Sequence, residues 1–267
     1  MSAQGGIRTA LITGASAGLG EAIAIACAEQ GWRLALGARR QDRLEDVARR
    51  AREAGAEVYA GPLDVGREES VEQFFSASEA AVGVADVIVN NAGLSKPGLL
   101  HERDPAALRL EVETNLLGPL LVTRRGVAAL IARGERGDVV FMGSDAASNP
   151  RPGQVAYSAT KGGLETLCTS LARELEGTGV RVSRLRLGPT VSEFASEWDL
   201  SPEVLEERTA YFRRFGLRDA RHYGSLMPSE EVARAVLFCV TQPPGVVLDT
   251  IDMYPEAPVG SGVDRLR

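Results

Sequence analysis

The sequence predicts an α/β chain in which helices cover both faces of a parallel, doubly wound sheet. Three observations carry that reading. Short apolar segments alternate with helical segments along most of the 267 residues, and crossovers of ten or more residues join strands that run parallel. The strand segments are apolar runs more than alternations, as strands covered on both faces require. A glycine-rich turn, Thr13-Gly14-Ala15-Ser16-Ala17-Gly18-Leu19-Gly20, follows the first strand and opens directly into a helix. With 44% hydrophobic and 25% charged residues the composition is that of a globular chain, not a disordered one. The length suits one large α/β domain or two small ones, and with no low-complexity linker the expectation is a single domain over residues 1–267.

The elements follow in order. Strands are expected at 7–13, 33–37, 57–63, 87–89, 138–142, 180–187 and 246–253. An Ala-rich helix covers 21–30, and a charged amphipathic helix covers 43–54 and stops at Gly55. The next helix, 70–82, places Ser70 and Gln73 as a capping box. A long helix lies within 105–130, with Asp104 as its N-cap and Pro105 in its first turn. Helices at 155–176, closed by Gly177 and Gly179, and at 230–241 complete the alternation. Residues 193–228 interrupt it and hold Phe194, Trp198, Tyr211, Phe212 and Phe215. An insertion after the sixth strand lies at the carboxyl edge of the sheet, where such sheets bind ligands, so the segment is a candidate lid. Its arginines, Arg208, Arg213, Arg214, Arg218 and Arg221, suit a solvated face or an oligomer contact, or else the recruitment of an anionic substrate.

The excess of 36 acidic over 30 basic residues argues against a nucleic-acid binder. Cys27, Cys168 and Cys239 have neither metal-ligand spacing nor an even count for disulfides, which fits a reducing compartment. No unbroken apolar run approaches the ~18 residues of a membrane span, and the first eight residues lack a signal-peptide pattern. A cytoplasmic setting is the expectation.

The chemistry-bearing residues lie at the carboxyl ends of the strands. Gly14, Ser16, Ala17, Gly18, Leu19 and Gly20 allow a tight turn, and the helix N-terminus beyond them offers unpaired N–H groups to a pyrophosphate. A ligand-free strand-to-helix turn would use the same glycines. After the second strand, Ala38 stands where a carboxylate would grip the ribose hydroxyls of NAD, and Arg39 and Arg40 follow. Guanidinium groups there favour the 2'-phosphate of NADP(H). Arg40 also suits a solvating role at the start of the next helix. Asp64 and Val65 follow the third strand, where a carboxylate can accept from an adenine amino group. Asn91, Ala92 and Gly93 close the fourth strand, beside the expected cofactor ribose or in a plain turn.

Tyr157 and Lys161 stand four apart on one helical face. Ser144 lies just past the fifth strand, and Asn115 within the long helix. An ammonium beside a phenol stabilises the phenolate and lowers its pKa, so Tyr157 is expected as general acid with Ser144 holding the same carbonyl oxygen. Lys161 would also hold a nicotinamide ribose, and Asn115 a water. His101 and His222 have no partner at useful spacing and read as surface residues, and Cys168 reads as packed.

These motifs, in this order and with these separations, make the chain resemble the short-chain dehydrogenase/reductase family over nearly its whole length. The resemblance rests on 13–20, Asn90-Asn91-Ala92-Gly93, Asn115, Ser144, Tyr157-Ser158-Ala159-Thr160-Lys161 and the turn at Gly188. It implies a Rossmann-type three-layer fold with seven parallel strands, a nicotinamide cofactor, an Asn-Ser-Tyr-Lys site and a homodimer or homotetramer. The Ala38-Arg39-Arg40 stretch resembles NADP-preferring members. The implied activity is hydride transfer between NADPH and a ketone or alcohol of a small molecule. A reductase restricted to carrier-bound acyl groups and a silent nucleotide sensor are the alternatives. Two departures stand out. Leu187-Gly188-Pro189-Thr190-Val191-Ser192 replaces the family's Pro-Gly turn, leaving Ser192 to bond a carboxamide. Asp145 follows Ser144 directly and is expected to be a solvated loop residue, the alternative being that it faces a polar substrate or disturbs the site's protonation.

Overall fold

The computed structural model describes residues 6–195 and 226–256, with Trp198, Ser201, Glu206, Ala210 and Arg214 between them. Seven strands are present: β1 (Thr9–Thr13), β2 (Arg33–Ala38), β3 (Val58–Pro62), β4 (Val87–Asn90), β5 (Gly137–Met142), β6 (Val180–Leu187) and β7 (Thr250–Met253). They form one sheet in the order β3-β2-β1-β4-β5-β6-β7, and every pairing is parallel. β1, β4 and β5 are buried at every position, so these strands have no polar face and must lie between two helical layers.

One layer is α1 (Gly18–Glu29), α2 (Gln41–Glu53) and α7 (Ser229–Val240). The other is α3 (Glu68–Val82), α5 (Gly118–Arg133) and α6 (Val155–Glu174), and α4 (Pro105–Val112) leads into α5. The apolar face of α2 is spaced as a helix demands, with Leu44, Val47, Ala48 and Ala51 buried. Two cores result, one on each side of the sheet. Ile12, Ile23, Leu34 and Val236 belong to the first, and Leu11, Phe74, Ile88, Leu130 and Phe141 to the second.

The sequence expectation differs from the structure in four places. α3 begins at Glu68 with Arg67 as its N-cap, so Ser70 is not a cap. Its hydroxyl accepts instead from the Asp64 N–H at 2.9 Å, which pins the loop after β3. α1 starts at Gly18, within the glycine-rich turn. The long helix is not uniform: a π-helical turn, Glu113–Leu117, separates α4 from α5. β7 is confined to Thr250–Met253, because Val246 and Val247 face solvent and have no sheet face to fill. The Asp104 cap stands, accepting from the Ala106 N–H at 3.1 Å.

The 29-residue run Pro105–Arg133 is long and apolar enough to cross a membrane by length and composition alone. Here it flanks the sheet. Val122, Val127 and Leu130 are buried in the second core, and Arg125 on its flank pairs with Glu72 and Glu79 of α3.

The amino edge of the sheet is closed by charge. Arg8 bonds Asp86 at 2.5 Å and Asp138 at 2.7 Å, and Arg181 bonds the other oxygen of Asp138 at 2.7 Å. This network ties the amino ends of β1, β4, β5 and β6 and leaves the carboxyl edge for chemistry.

Candidate active site

At the carboxyl edge β1 turns into α1 through Gly14 and Gly18, whose φ values of 67° and 58° lie in the left-handed region that favours glycine. Ala17, the N-cap of α1, offers no side-chain hydrogen bond. The first-turn N–H groups are therefore left for an external acceptor. Gly20 has a packing role: a Cβ there would collide with the Gly14 carbonyl and lie 2.6 Å from Asn91 Nδ2. That amide is committed to the turn, donating to the carbonyls of Thr13 at 2.8 Å and Gly14 at 3.2 Å.

β5 delivers Ser144 to the same edge, and α6 presents Tyr157 and Lys161. All three are buried. Lys161 Nζ donates to the Met142 carbonyl at 2.7 Å and lies 5.7 Å from the centre of the Tyr157 ring. In the structure, desolvation outweighs the lowering expected of Lys161. Burial pushes Tyr157 up to about 12, against a smaller opposing effect of its hydrogen bond with Ser144. Burial pushes Lys161 down to about 8. Desolvation penalises the charged form of each group, and the ammonium is turned to a main-chain carbonyl.

Asn115 sits in the π-helical turn. Its amide accepts from the Leu94 N–H at 2.9 Å and donates to the Leu94 carbonyl at 2.8 Å. It thus braces the chain leaving β4. A Cβ on Gly93 would lie 3.4 Å from Asn115 Oδ1 and 3.9 Å from Lys161 Nζ, so this bare backbone separates the two side chains. The π turn answers why an Asn stands inside a helix: the extra residue aims the side chain at β4.

Asp145 is not solvated. It is 5% exposed, forms an ion pair with Arg151, and accepts from the Ser144 hydroxyl at 3.4 Å. Its burial raises its pKa against the lowering pull of Arg151. His101 is exposed and lies 3.5 Å from Glu102. Cys168 is buried, and its thiol is pushed up to about 12. His222, Tyr211, Phe212, Phe215, Arg208, Arg213, Arg218 and Arg221 lie outside the described residues, as does most of 193–228. Of the aromatic residues expected there, Phe194 packs 5.4 Å from Tyr157 and Trp198 lies edge-on to Phe194 at 5.8 Å. Trp198 Nε1 donates to the Ser95 carbonyl at 2.8 Å.

A cleft of about 520 Å³ joins these groups. Gly14, Ser16, Ala17, Gly18, Leu19, Arg39, Arg40, Asp64, Val65, Asn91, Ala92 and Gly93 line it, with Ser144, Tyr157, Lys161, Thr190 and Ser192 further along. Gly20, Asn115, Gly188 and Pro189 stand behind the lining. A Cβ on Gly188 would lie 2.6 Å from the Tyr254 ring, and the Pro189 carbonyl accepts from Met227 N–H at 3.1 Å. Ser192 Oγ accepts from the Phe194 N–H at 3.3 Å. Lys96, Thr114 and Glu193 also line the cleft and went unrecognised in the sequence. For Glu193 the only signal was an acidic residue directly after Ser192. A cleft with arginines, a phenol and an ammonium among its lining and an uncapped helix start beside it fits a nicotinamide dinucleotide.

Comparison with known proteins agrees with this geometry. Residues 8–202 match the family model described as short chain dehydrogenase. A short chain dehydrogenase of Pseudocercospora fijiensis is 34% identical over 194 residues, 72% of this chain, and the chain spans 62% of that relative's length. Sulfoacetaldehyde reductase 2 of Chromohalobacter salexigens is 30% identical over 262 residues, covering 96% of this chain and 98% of the relative. Among solved structures, an alcohol dehydrogenase of Thermococcus sibiricus complexed with 5-hydroxy-NADP superimposes with a TM-score of 0.78 at 31% identity, covering 94% of this chain and 97% of that one. With most of its length matched and the glycine-rich turn, Ser144, Tyr157 and Lys161 on one cleft, the chain belongs to the short-chain dehydrogenase family of oxidoreductases.

Proposed function

We propose that the protein is an NADP(H)-dependent carbonyl reductase acting on a ketone or aldehyde of a small molecule, or its reverse on the alcohol. The observation that carries the reading is the single cleft with Arg39 and Arg40 among its lining and buried Ser144, Tyr157 and Lys161 further along it. Arg39 and Arg40 would hold the 2'-phosphate, the first turn of α1 the pyrophosphate, and Lys161 the nicotinamide ribose. NADPH, when bound, supplies the hydride.

The protein's own part is proton delivery and positioning. Burial keeps the Tyr157 phenol protonated far above neutral pH, so it donates its proton to the substrate oxygen as that oxygen gains charge. The Ser144 hydroxyl, hydrogen-bonded to the phenol, shares the same oxygen and fixes its position. Lys161 favours charge on the phenol oxygen once the proton has left. Asn115 acts through Leu94, holding the wall of the cleft in place. Phe194 packs at a tilt against the Tyr157 ring, 5.4 Å away, and walls that part of the cleft.

Leu117 and Leu120 on one face and Phe238 on another remain exposed, which supports a homo-oligomer whose copies cover them. The test of the activity is NADPH absorbance decay with a panel of free ketones and aldehydes, compared with thioester mimics of carrier-bound substrates. Tyr157→Phe retains NADPH binding and loses turnover by about 10²–10⁴-fold, the range of a general acid. Normal turnover by that variant removes Tyr157 from the role.

A further inference from the structure

Residues Glu193–Ala195 form a short turn just after β6, about 150 positions along the chain from the arginines that follow β2. Glu193 nevertheless reaches those arginines. One carboxylate oxygen accepts from Arg40 at 3.1 Å and from Arg43. Arg40 also donates to Ser16 Oγ at 3.4 Å, within the glycine-rich turn. Arg39 lines the same cleft and makes no ion pair among the described residues. Ser192, the neighbour of Glu193, lies close over that turn: a Cβ on Gly18 would be 3.3 Å from Ser192 Cβ. The cleft thus has an acidic clamp on Arg40, one of the two arginines read above as its phosphate site.

We propose that Glu193 is a cofactor-selecting residue that competes with the adenosine 2'-phosphate for Arg40. The inference rests on the NADP(H) reading. A carboxylate and a phosphate monoester are alternative acceptors for the same guanidinium donors, and both are anions. A phosphate seated on the Arg40 guanidinium competes with Glu193 for its donors, whereas a ribose 2'-hydroxyl leaves both Glu193 bonds in place. Glu193 therefore lowers affinity for NADPH and leaves NADH nearly untouched, so the cofactor preference is smaller than Arg39 and Arg40 alone would set. Arg40 and Arg43 hold the Glu193 carboxyl below its ordinary pKa, so the competitor stays ionised at neutral pH. On the same turn Phe194 packs against Tyr157, so one turn touches both ends of the cleft.

The experiment measures dissociation constants of the full chain by fluorescence titration with NADPH and NADH. Adenosine 2',5'-bisphosphate and adenosine 5'-monophosphate, which differ only in the 2'-phosphate, serve as competitors. In Glu193→Gln, NADPH and the bisphosphate tighten by about two- to fivefold, the scale of exposed ion pairs. NADH and the monophosphate stay within about twofold. A weaker or unchanged NADPH affinity overturns the inference, because Glu193 then orients the arginines or merely covers them. Equal tightening of both cofactors overturns it as well. If the wild type does not distinguish bisphosphate from monophosphate, and Arg39→Ala changes neither, the NADP(H) reading itself falls. If the wild type prefers the bisphosphate and Glu193→Gln fails to strengthen it, only the role of Glu193 falls.

Discussion

Replacing Lys161 by Met separates what this residue costs the fold from what it does in the cleft. Burial depresses its pKa from 10.5 to about 8, a displacement equivalent to about 3 kcal/mol. Below pH 8 the lysine is protonated in both folded and unfolded chains, and the folded chain carries the full penalty of a desolvated ammonium. Between pH 8 and 10.5 the folded chain has released the proton and the unfolded chain still holds it. Stability therefore rises with pH across that window, by about 1.4 kcal/mol per pH unit. Above 10.5 neither chain is charged there and the penalty is gone. Methionine keeps the stem and removes the charge. It also leaves the Met142 carbonyl without the 2.7 Å bond, a loss of about 1–3 kcal/mol. The two effects nearly offset at pH 7, so the variant lies within about 2 kcal/mol of wild type there. The pH dependence has no such offset. Urea unfolding of both proteins from pH 7 to 10, without cofactor, should show wild type gaining on the variant above pH 8, because all other titrations cancel in the difference. A difference that stays flat over that range refutes the desolvation argument.

Asp138→Ala at the opposite edge leaves Arg8 and Arg181 without their shared carboxylate, and a urea midpoint should report a loss of about 3–5 kcal/mol. Gly20→Ala drives a methyl group into the backbone of the glycine-rich turn, with Ala15 Cα only 2.9 Å from it. A thermal melt should show about 1–3 kcal/mol of destabilisation, and a fluorescence titration should show weakened NADPH binding. An unchanged melt would mean that the turn yields freely.

The fold was legible because the strands carry apolar residues on both faces and the helices keep their period, and both are properties of neighbouring residues in sequence. The cleft was legible for a related reason. A parallel sheet brings every strand's carboxyl end to one edge, so Gly14, Arg39, Asn91 and Ser144 could be placed together without knowing any contact. Tyr157 and Lys161 share a helix, and their spacing alone puts them on one face. What failed depended on contacts that sequence order does not encode. Ser70 looked like a cap because it precedes Gln73 by three, yet its hydroxyl is spent on Asp64. Asp145 looked like a loop residue because its partner, Arg151, lies beyond a short turn that no period announces. Glu193 meets arginines 150 and 153 positions away. The phenol was placed correctly and its pKa was not, since spacing supplies neighbours and only packing supplies burial.

The distribution of charge around the sheet gives that last failure its meaning. At the amino edge the charges are matched: buried Asp138 and half-buried Arg8, Asp86 and Arg181 share short bonds and close the sheet. At the carboxyl edge Lys161 is more deeply buried than those arginines but is paired with a neutral carbonyl, and Tyr157 holds its proton although an ammonium is close by. A fold optimised only for stability would neutralise such a lysine or replace it with an apolar side chain. The lysine is instead held near its own titration point, and the phenol is held as a proton donor. In that state the pair is poised for the proton to leave Tyr157 when a substrate oxygen acquires negative charge, because Lys161 then gains the anionic neighbour that its burial otherwise denies it. On the proposed mechanism the electrostatics of the cleft and the direction of proton transfer have one cause, which is the desolvation of two groups on the same face of α6.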